Sequence, residues 1–246
     1  MRIVIRPFLI ISSIYLFLGL AACGSGVGNV PNSTSHNVDP PPPNAAQTPP
    51  PILPDRPKIV AFGDSLTAGT GLDTWEKSYP ALLQQDIDRS GFDYQVLNQG
   101  RPGDTSKAAL ERLPEALRIA NIKVVILELG ANDIIKNVPP DEIKRNLAEI
   151  ITQVKTGGAS VLLCGIEPPE RVGSEYRKMV LDMYLNLARE KDVLLMPSFM
   201  DRVADHPELI LPDGVHPNED GARVIEKNVF AALQPLLKSK SELKKK

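Results

Sequence analysis

Short apolar runs alternate with longer amphipathic stretches from Lys58 onward, and this alternation predicts most of the fold. Five runs are typical of buried strands because they are nearly continuous in apolar residues: KIVAF, YQVLN, KVVILELG, SVLLCGI and VLLMPSF. Apolar positions recur at helical spacing over five longer stretches: 75–90, 106–120, 140–156, 175–191 and 218–237. Strands and helices that alternate in this way favour an α/β fold with a five-stranded parallel sheet covered on both faces.

The first 22 residues have a different pattern, which predicts a secretory signal peptide over residues 1–22. Arg2 and Arg6 give a positive start, and the segment from Phe8 to Leu20 is almost continuously apolar. That segment is too short for a comfortable transmembrane helix. The ending LAAC closely resembles the lipobox of bacterial lipoproteins. This resemblance implies cleavage before Cys23 and lipidation of Cys23, whereas an ordinary signal peptide with a cysteine near its cleavage site is the alternative.

Residues 24–57 are rich in Gly, Ser, Asn and Pro and include the runs PPPP and PPP. A segment of this composition cannot bury a core, and proline-rich chain favours the extended polyproline II state. We therefore expect residues 23–57 to form a disordered stalk that begins at the lipidated cysteine and leads into a domain over residues 58–237. Residues 238–246 form a basic tail that we expect to be solvated.

Charge and cysteine content narrow the possible partners. The chain has 28 Lys and Arg against 30 Asp and Glu, which gives a formal net charge of −2. This balance gives no reason to expect nucleic acid as a partner. There are two cysteines, so lipidation of Cys23 leaves Cys164 without a disulfide partner. Because Cys164 lies in an apolar run, we expect a small buried hydrophobic residue there.

Polar loops that contain glycine follow four of the five predicted strands, the last of them after an intervening segment. They contain the sequences GDS, GRPGD, GAND and DGVH. Ligands of open parallel sheets bind outside the carboxyl ends of the strands, so these loops should converge on one rim. The sequence therefore predicts a functional site at that rim.

Residue types at the rim suggest nucleophilic catalysis by Ser65. A serine hydroxyl is a weak nucleophile until a base removes its proton, and histidine is the best base near neutral pH. The predicted domain contains two histidines, His206 and His216. We favour His216 because Asp213 lies three residues before it, close enough in a turn to orient the imidazole ring. His206 lacks a turn marked by glycine.

An acyl-transfer site also needs hydrogen-bond donors for the negative oxygen that develops in the transition state. The candidates for this oxyanion hole are the backbone N–H of Ser65, the backbone N–H of Gly103 and the side-chain amide of Asn132.

Three other interpretations of GDSLTAGTG fail on particular residues. No lysine follows the glycines, as a phosphate-binding P-loop requires. Thr67 occupies the position of the second glycine in the G-x-S-x-G elbow of α/β-hydrolases. Two histidines and one buried cysteine are too few for a zinc site. We therefore expect neither a metal nor a cofactor.

Taken together, the four loops resemble the SGNH or GDSL hydrolase superfamily. GDSLTAG supplies Ser65, NQGRPGDTS supplies Gly103, LELGAND supplies Asn132, and DGVHPN supplies Asp213 and His216. Within the superfamily the chain is similar to the bacterial lysophospholipase, thioesterase and arylesterase branch. The resemblance implies a three-layer, flavodoxin-like α/β/α fold and metal-free ester hydrolysis through an acyl-enzyme on Ser65. Gln99 and Pro102 depart from the usual pattern, in which small or aliphatic residues stand at those two positions.

We therefore expect a monomeric serine esterase that acts on acyl esters such as lysophospholipids or small aryl and alkyl esters. The lipidated Cys23 would hold it in the bacterial cell envelope. The outer membrane is favoured where the cell has one, because Gly24 is not the aspartate of the inner-membrane retention pattern. Two alternatives stay open, namely a carbohydrate O-deacetylase and a tethered binding lipoprotein without catalysis.

Overall fold

The computed structural model describes residues 50–243. The predicted signal peptide, Cys23, most of the predicted stalk and the last three residues of the tail lie outside the described residues. Between residues 50 and 243, no helix is both long and apolar enough to cross a membrane.

Five parallel strands form one sheet in the order β2-β1-β3-β4-β5. The strands are β1 (Lys58–Gly63), β2 (Gln95–Gly100), β3 (Ile122–Glu128), β4 (Ser160–Cys164) and β5 (Leu194–Met196). The predicted five-stranded parallel sheet is therefore confirmed. Central strands are nearly continuous in apolar residues because both of their faces are covered. In β1, for example, Ile59 to Phe62 are all buried.

Eight α-helices occur among the described residues: α1 (Ser65–Ala68), α2 (Tyr79–Arg89), α3 (Ser106–Ala116), α4 (Ala131–Ile135), α5 (Pro140–Thr156), α6 (Ser174–Lys191), α7 (Glu219–Leu233) and α8 (Lys240–Leu243). Helix α5 has the predicted bounds. The predicted helix over residues 75–90 is instead a 3-10 turn, Trp75–Lys77, followed by α2. The sequence pattern does not predict the short helices α1 and α4, because a helix of four or five residues is too short to show a helical period of apolar positions.

The helices cover both faces of the sheet, as the three-layer prediction requires. Helix α2 packs against α7, whereas α5 packs against both α3 and α6. The chain passes from β1 to the edge strand β2 and then back to β3 on the other side of β1. Crossovers of parallel strands are right-handed, so this reversal places α2 and α3 on opposite faces. The reversal point between β1 and β3 is where a doubly wound sheet binds its ligands.

Residues 51–56, which the sequence pattern assigns to the stalk, make specific contacts with the domain. The Gln95 side chain donates to the Pro51 carbonyl at 2.8 Å and accepts from the Leu53 N–H at 2.9 Å. Arg56 forms an ion pair with Asp88 at 2.6 Å. The ordered contacts of the domain therefore begin several residues before Lys58, because the chain before β1 pairs with the Gln95 side chain on the outermost strand.

Candidate functional site

Ser65 lies in the tight turn that connects β1 to α1. It is the first residue of α1, so its backbone N–H has no partner within the helix. Asp64 caps this helix, since its Oδ1 accepts from the Leu66 N–H at 3.0 Å. A Cβ atom at Gly63 would lie 2.1 Å from Thr67 Oγ1. Because position 63 is glycine, the first turn of α1 can pack closely against the end of β1. This packing places Ser65 just beyond the end of the strand.

A hydrogen-bonded chain of three side chains joins Ser65 to the loop before α7. His216 Nε2 lies 2.9 Å from Ser65 Oγ, and His216 Nδ1 lies 2.7 Å from Asp213 Oδ2. Asp213 Oδ1 also accepts from the backbone N–H groups of Val215 and His216, at 2.9 and 3.0 Å. This arrangement is an aspartate-initiated turn, in which a side chain replaces backbone turn bonds. These local hydrogen bonds fix the position of the histidine relative to the aspartate.

The hydrogen bonds to Asp213 keep its carboxylate charged. The backbone N–H of His216, followed by the His216 ring, lowers the Asp213 pKa from 3.8 to about 2. Asp213 is therefore ionised near neutral pH. A carboxylate in this position holds the imidazole ring and stabilises it when it takes up a proton.

The other histidine of the described residues lies elsewhere. His206 Nδ1 is 3.0 Å from Glu208 Oε1, and its side chain is about half exposed. The structure therefore brings His216, rather than His206, to the serine, as the sequence pattern favours.

Gly103 lies in the turn that follows β2, and the Arg101 N–H at the start of this turn donates to the Gly63 carbonyl at 3.0 Å. The Asp104 N–H donates to the Arg101 carbonyl at 3.2 Å, and Gly103 has φ of +84°. Proline followed by glycine with positive φ is typical of the two central positions of a type II turn. Pro102, one of the two departures from the family pattern, thus has a backbone role in shaping this loop.

Asn132 is held by two hydrogen bonds from its side-chain nitrogen. Its Nδ2 donates to Asp64 Oδ2 at 3.1 Å and to the Asp104 carbonyl at 2.9 Å. The amide therefore bridges the loops that follow β1 and β2 while it lies at the start of α4. An oxyanion bound by this amide would compete with two protein acceptors, so the role of Asn132 as a donor stays a prediction.

Several residues that support the site are missing from the sequence predictions. Asp133 accepts from the Ser106 N–H at 2.8 Å and from the Ser106 hydroxyl at 2.7 Å, which ties α4 to the start of α3. Arg112 forms a buried ion pair with Asp104. Two features of the sequence could have indicated these residues. Asp133 directly follows Asn132, and Arg112 is the single arginine of α3, next to its apolar positions.

Two buried carboxyl groups lie beneath the serine turn. Burial raises the pKa of Asp64 from 3.8 to about 6, against the lowering effect of its bond from Leu66 N–H. Burial and the neighbouring Asp64 raise the pKa of Glu128 well above its usual range. Glu128 Oε2 accepts from the Thr67 hydroxyl at 2.7 Å. Glu128 therefore supports the turn from below and does not face the rim.

Within residues 50–243, no group of three or more His, Cys, Asp or Glu side chains is placed to hold a metal ion. Cys164 is fully buried in β4, and burial raises the pKa of its thiol.

A serine, a histidine and an aspartate in one hydrogen-bonded chain, at the carboxyl edge of a parallel sheet, define a site of the serine-hydrolase type. The model of the GDSL-like lipase/acylhydrolase family matches residues 61–224. The chain belongs to this family and is an ester hydrolase, which confirms the resemblance read from its four loops.

Named relatives agree with this assignment. The chain is 39% identical to an arylesterase of Vibrio mimicus over 163 residues, which are 66% of this chain and 81% of that protein. It is 35% identical over 179 residues to thioesterase 1/protease 1/lysophospholipase L1 of Escherichia coli K12, covering 73% of this chain and 84% of that protein. The crystal structure of TesA matches with a TM-score of 0.71 and 34% identity, over 73% of this chain and 99% of that one.

The raised pKa of Asp64 predicts a pH dependence of stability. Between pH 4 and 6 the folded protein keeps a proton on Asp64 that the unfolded chain has released, so this contribution to stability is lost as pH rises. Asp64→Asn should remove one such proton and flatten the slope of unfolding free energy by up to about 1.4 kcal/mol per pH unit. Guanidinium unfolding at several pH values measures the slope.

Asp201→Asn is the control for this measurement, because the Asp201 side chain is exposed and its substitution should leave the slope unchanged. An Asp64→Asn slope equal to that of the wild type would show that Asp64 does not hold the proton.

Proposed function

We propose that the protein is a serine esterase that hydrolyses acyl esters through a covalent acyl-enzyme on Ser65. One observation carries this proposal, namely the continuous hydrogen-bonded chain from Ser65 Oγ through His216 to Asp213, with distances of 2.9 and 2.7 Å. The first distance is short enough for proton transfer between a nucleophile and its base, and the second is that of an aspartate that orients the imidazole ring.

In the first half of the reaction, Ser65 Oγ attacks the acyl carbonyl carbon while His216 Nε2 takes the serine proton. Asp213 stabilises the imidazolium that results. The tetrahedral intermediate then collapses, and His216 returns the proton to the leaving alcohol as the carbon–oxygen bond breaks. In the second half, His216 removes a proton from water as the water oxygen attacks the acyl carbon. The second tetrahedral intermediate collapses, the bond from the acyl carbon to Ser65 Oγ breaks, and His216 returns the proton to Oγ as the carboxylic acid leaves.

The negative oxygen of each tetrahedral intermediate would be bound by the N–H of Ser65, the N–H of Gly103 and the amide of Asn132. Support for this assignment comes from their common location. Gly100 leads into the Gly103 turn and packs against α1, since a Cβ atom at Gly100 would lie 2.2 Å from the Ala68 nitrogen. Asn132 reaches the same loop through the Asp104 carbonyl.

The rim favours substrates with an apolar acyl part. Ile135, one turn beyond Asn132, is 60% exposed, and Val215, next to His216, is 45% exposed. Apolar side chains exposed beside a reactive centre are typical of sites that bind apolar ligands. The names of two relatives, an arylesterase and a lysophospholipase, support aryl esters and lysophospholipids as substrates, and small alkyl esters are the simplest further candidates. Comparative rates on these esters and on acetylated sugars distinguish an acyl esterase from a carbohydrate O-deacetylase.

The triad variants test the proposed function. Ser65→Ala should lower kcat on a p-nitrophenyl ester by about 10³-fold or more, and His216→Ala should have a comparable effect. His206→Ala is the matched control and should keep wild-type turnover, because His206 pairs with Glu208 away from the serine. Circular dichroism checks that each variant is folded. A folded Ser65→Ala variant with normal turnover would show that Ser65 is not the nucleophile, and a wild type without turnover on any ester would leave the chain as a binding protein.

We also propose that the enzyme works in the bacterial cell envelope, attached by lipid on Cys23. The lipobox-like ending at Cys23 and the proline-rich segment after it support this location. Several acyl chains on one residue anchor a protein stably, because each buried CH₂ contributes about 0.8 kcal/mol.

The wild type should therefore partition into the detergent phase of a Triton X-114 extraction, and its intact mass should correspond to an acylated chain that begins at Cys23. A truncated chain that begins at Lys58 should stay in the aqueous phase with kcat on a small soluble ester unchanged, because the segment removed contains no catalytic group. Cys164→Ala, at the buried cysteine, should partition like the wild type. An unmodified Cys23, or cleavage at another position, would indicate a freely secreted enzyme.

A further inference from the structure

Arg112 is a charged side chain that is buried next to the proposed site. It takes no part in the reaction steps described above. It lies in α3, and its side chain is only 8% exposed. Its guanidinium carbon lies 4.1 Å from the centroid of the Phe62 ring. Charged side chains are almost never buried to this extent unless they are paired, so the contacts of this guanidinium need an explanation.

The guanidinium joins three segments at the carboxyl end of the sheet. Its Nη2 donates to the Gly63 carbonyl and to the Gln99 carbonyl, each at 3.0 Å. Its Nε donates to the Asp104 carboxylate. Gly63 is the last residue of β1 and Gln99 is next to the last residue of β2. One planar cation therefore fixes the spacing of two strand ends and of the loop that follows β2.

Each of the three proposed oxyanion donors lies within two residues, or one hydrogen bond, of a group to which Arg112 donates a hydrogen bond. Gly63 is separated from Ser65 only by the helix cap, and Gly103 immediately precedes Asp104. The Asn132 amide donates to the backbone carbonyl of Asp104 at 2.9 Å. The hydrogen bonds of Arg112 therefore go to groups close to the three donors and not to the donors themselves.

We infer that Arg112 is a positioning residue of the oxyanion hole, which it builds by tying the ends of β1 and β2 to Asp104. This inference rests on the proposed function. Oxyanion stabilisation depends on donors that are already aligned before reaction, and a fully bonded buried network gives that rigidity. Arginine suits the task because its planar fork presents several donors at fixed angles. A lysine has one nitrogen, which cannot reach both strand carbonyls and the carboxylate in the same geometry.

A role in positioning predicts an effect on the chemical step. Arg112→Met and Arg112→Lys should each lower kcat by about 10- to 100-fold, somewhat less than the loss of a whole oxyanion donor, with KM changed by less than about threefold. Arg112→Lys keeps a positive charge beside Asp104 and should preserve more of the stability than Arg112→Met, yet it should stay slow. The midpoint of the pH–rate profile should not move, because Arg112 contacts neither His216 nor Asp213.

A double-mutant cycle with Asn132→Ala distinguishes this role from general support of the fold. If Arg112 acts through the oxyanion hole, its substitution should lower kcat by a clearly smaller factor once Asn132 is already alanine, because one of the three donors that it positions is then absent. An Arg112 that acts independently of the hole should lower kcat by the same factor in both backgrounds.

Arg56→Met is the matched control, because Arg56 forms an ion pair with Asp88 before β1. It should lower the unfolding free energy without changing kcat.

Arg112→Lys supplies the same comparison if Arg112→Met does not fold. Folded Arg112 variants with wild-type kcat, or effects that multiply fully with Asn132→Ala, would overturn the inference. If Ser65→Ala is inactive in the same assay, such a result removes only the role of Arg112. If Ser65→Ala keeps its turnover, the proposed function itself fails.

Discussion

The site depends on the carboxyl group of Asp64, which is fully buried. Its two oxygens accept hydrogen bonds from groups in two different loops. One oxygen caps the helix that begins with Ser65, and the other accepts from Asn132 at 3.1 Å. A buried carboxylate without partners is costly, so the loops after β1 and β3 are held at the positions that satisfy Asp64. The serine and the asparagine are thereby fixed relative to each other across the reversal point of the sheet.

The second half of the site reaches the serine from the other end of the chain. Asp213 and His216 form a self-contained turn whose hydrogen bonds are local, so their mutual geometry does not depend on the sheet. The hydrogen bond between His216 and Ser65 joins this turn to the end of β1. The two halves also differ in their electrostatics, because hydrogen bonds lower the pKa of the exposed Asp213, whereas burial raises the pKa of Asp64 and that of Glu128.

The fold is largely predictable from sequence, because buried parallel strands leave nearly continuous apolar runs and their helices leave a 3.6-residue period. The run VLLMPSF is an exception, since β5 covers only Leu194–Met196 and Pro197 follows at once. The residues of the triad are predictable because they stand next to glycine-marked turns. Arg112 and Asp64 are not, because their partners lie on other elements and only packing brings these together. The contacts of residues 51–56 with Gln95 are missed for the same reason, since a proline-rich composition conceals them.

The central claim is that Ser65 is the nucleophile and that His216 makes it reactive. The most direct measurement is intact-mass analysis and peptide mapping after incubation with a p-nitrophenyl phosphonate, which forms a stable adduct in place of the acyl-enzyme. We expect one adduct per chain, on the peptide that contains Ser65, and at least a 10²-fold slower labelling of His216→Ala. An adduct on another residue, or full esterase activity in a protein that takes up no label, would contradict the account.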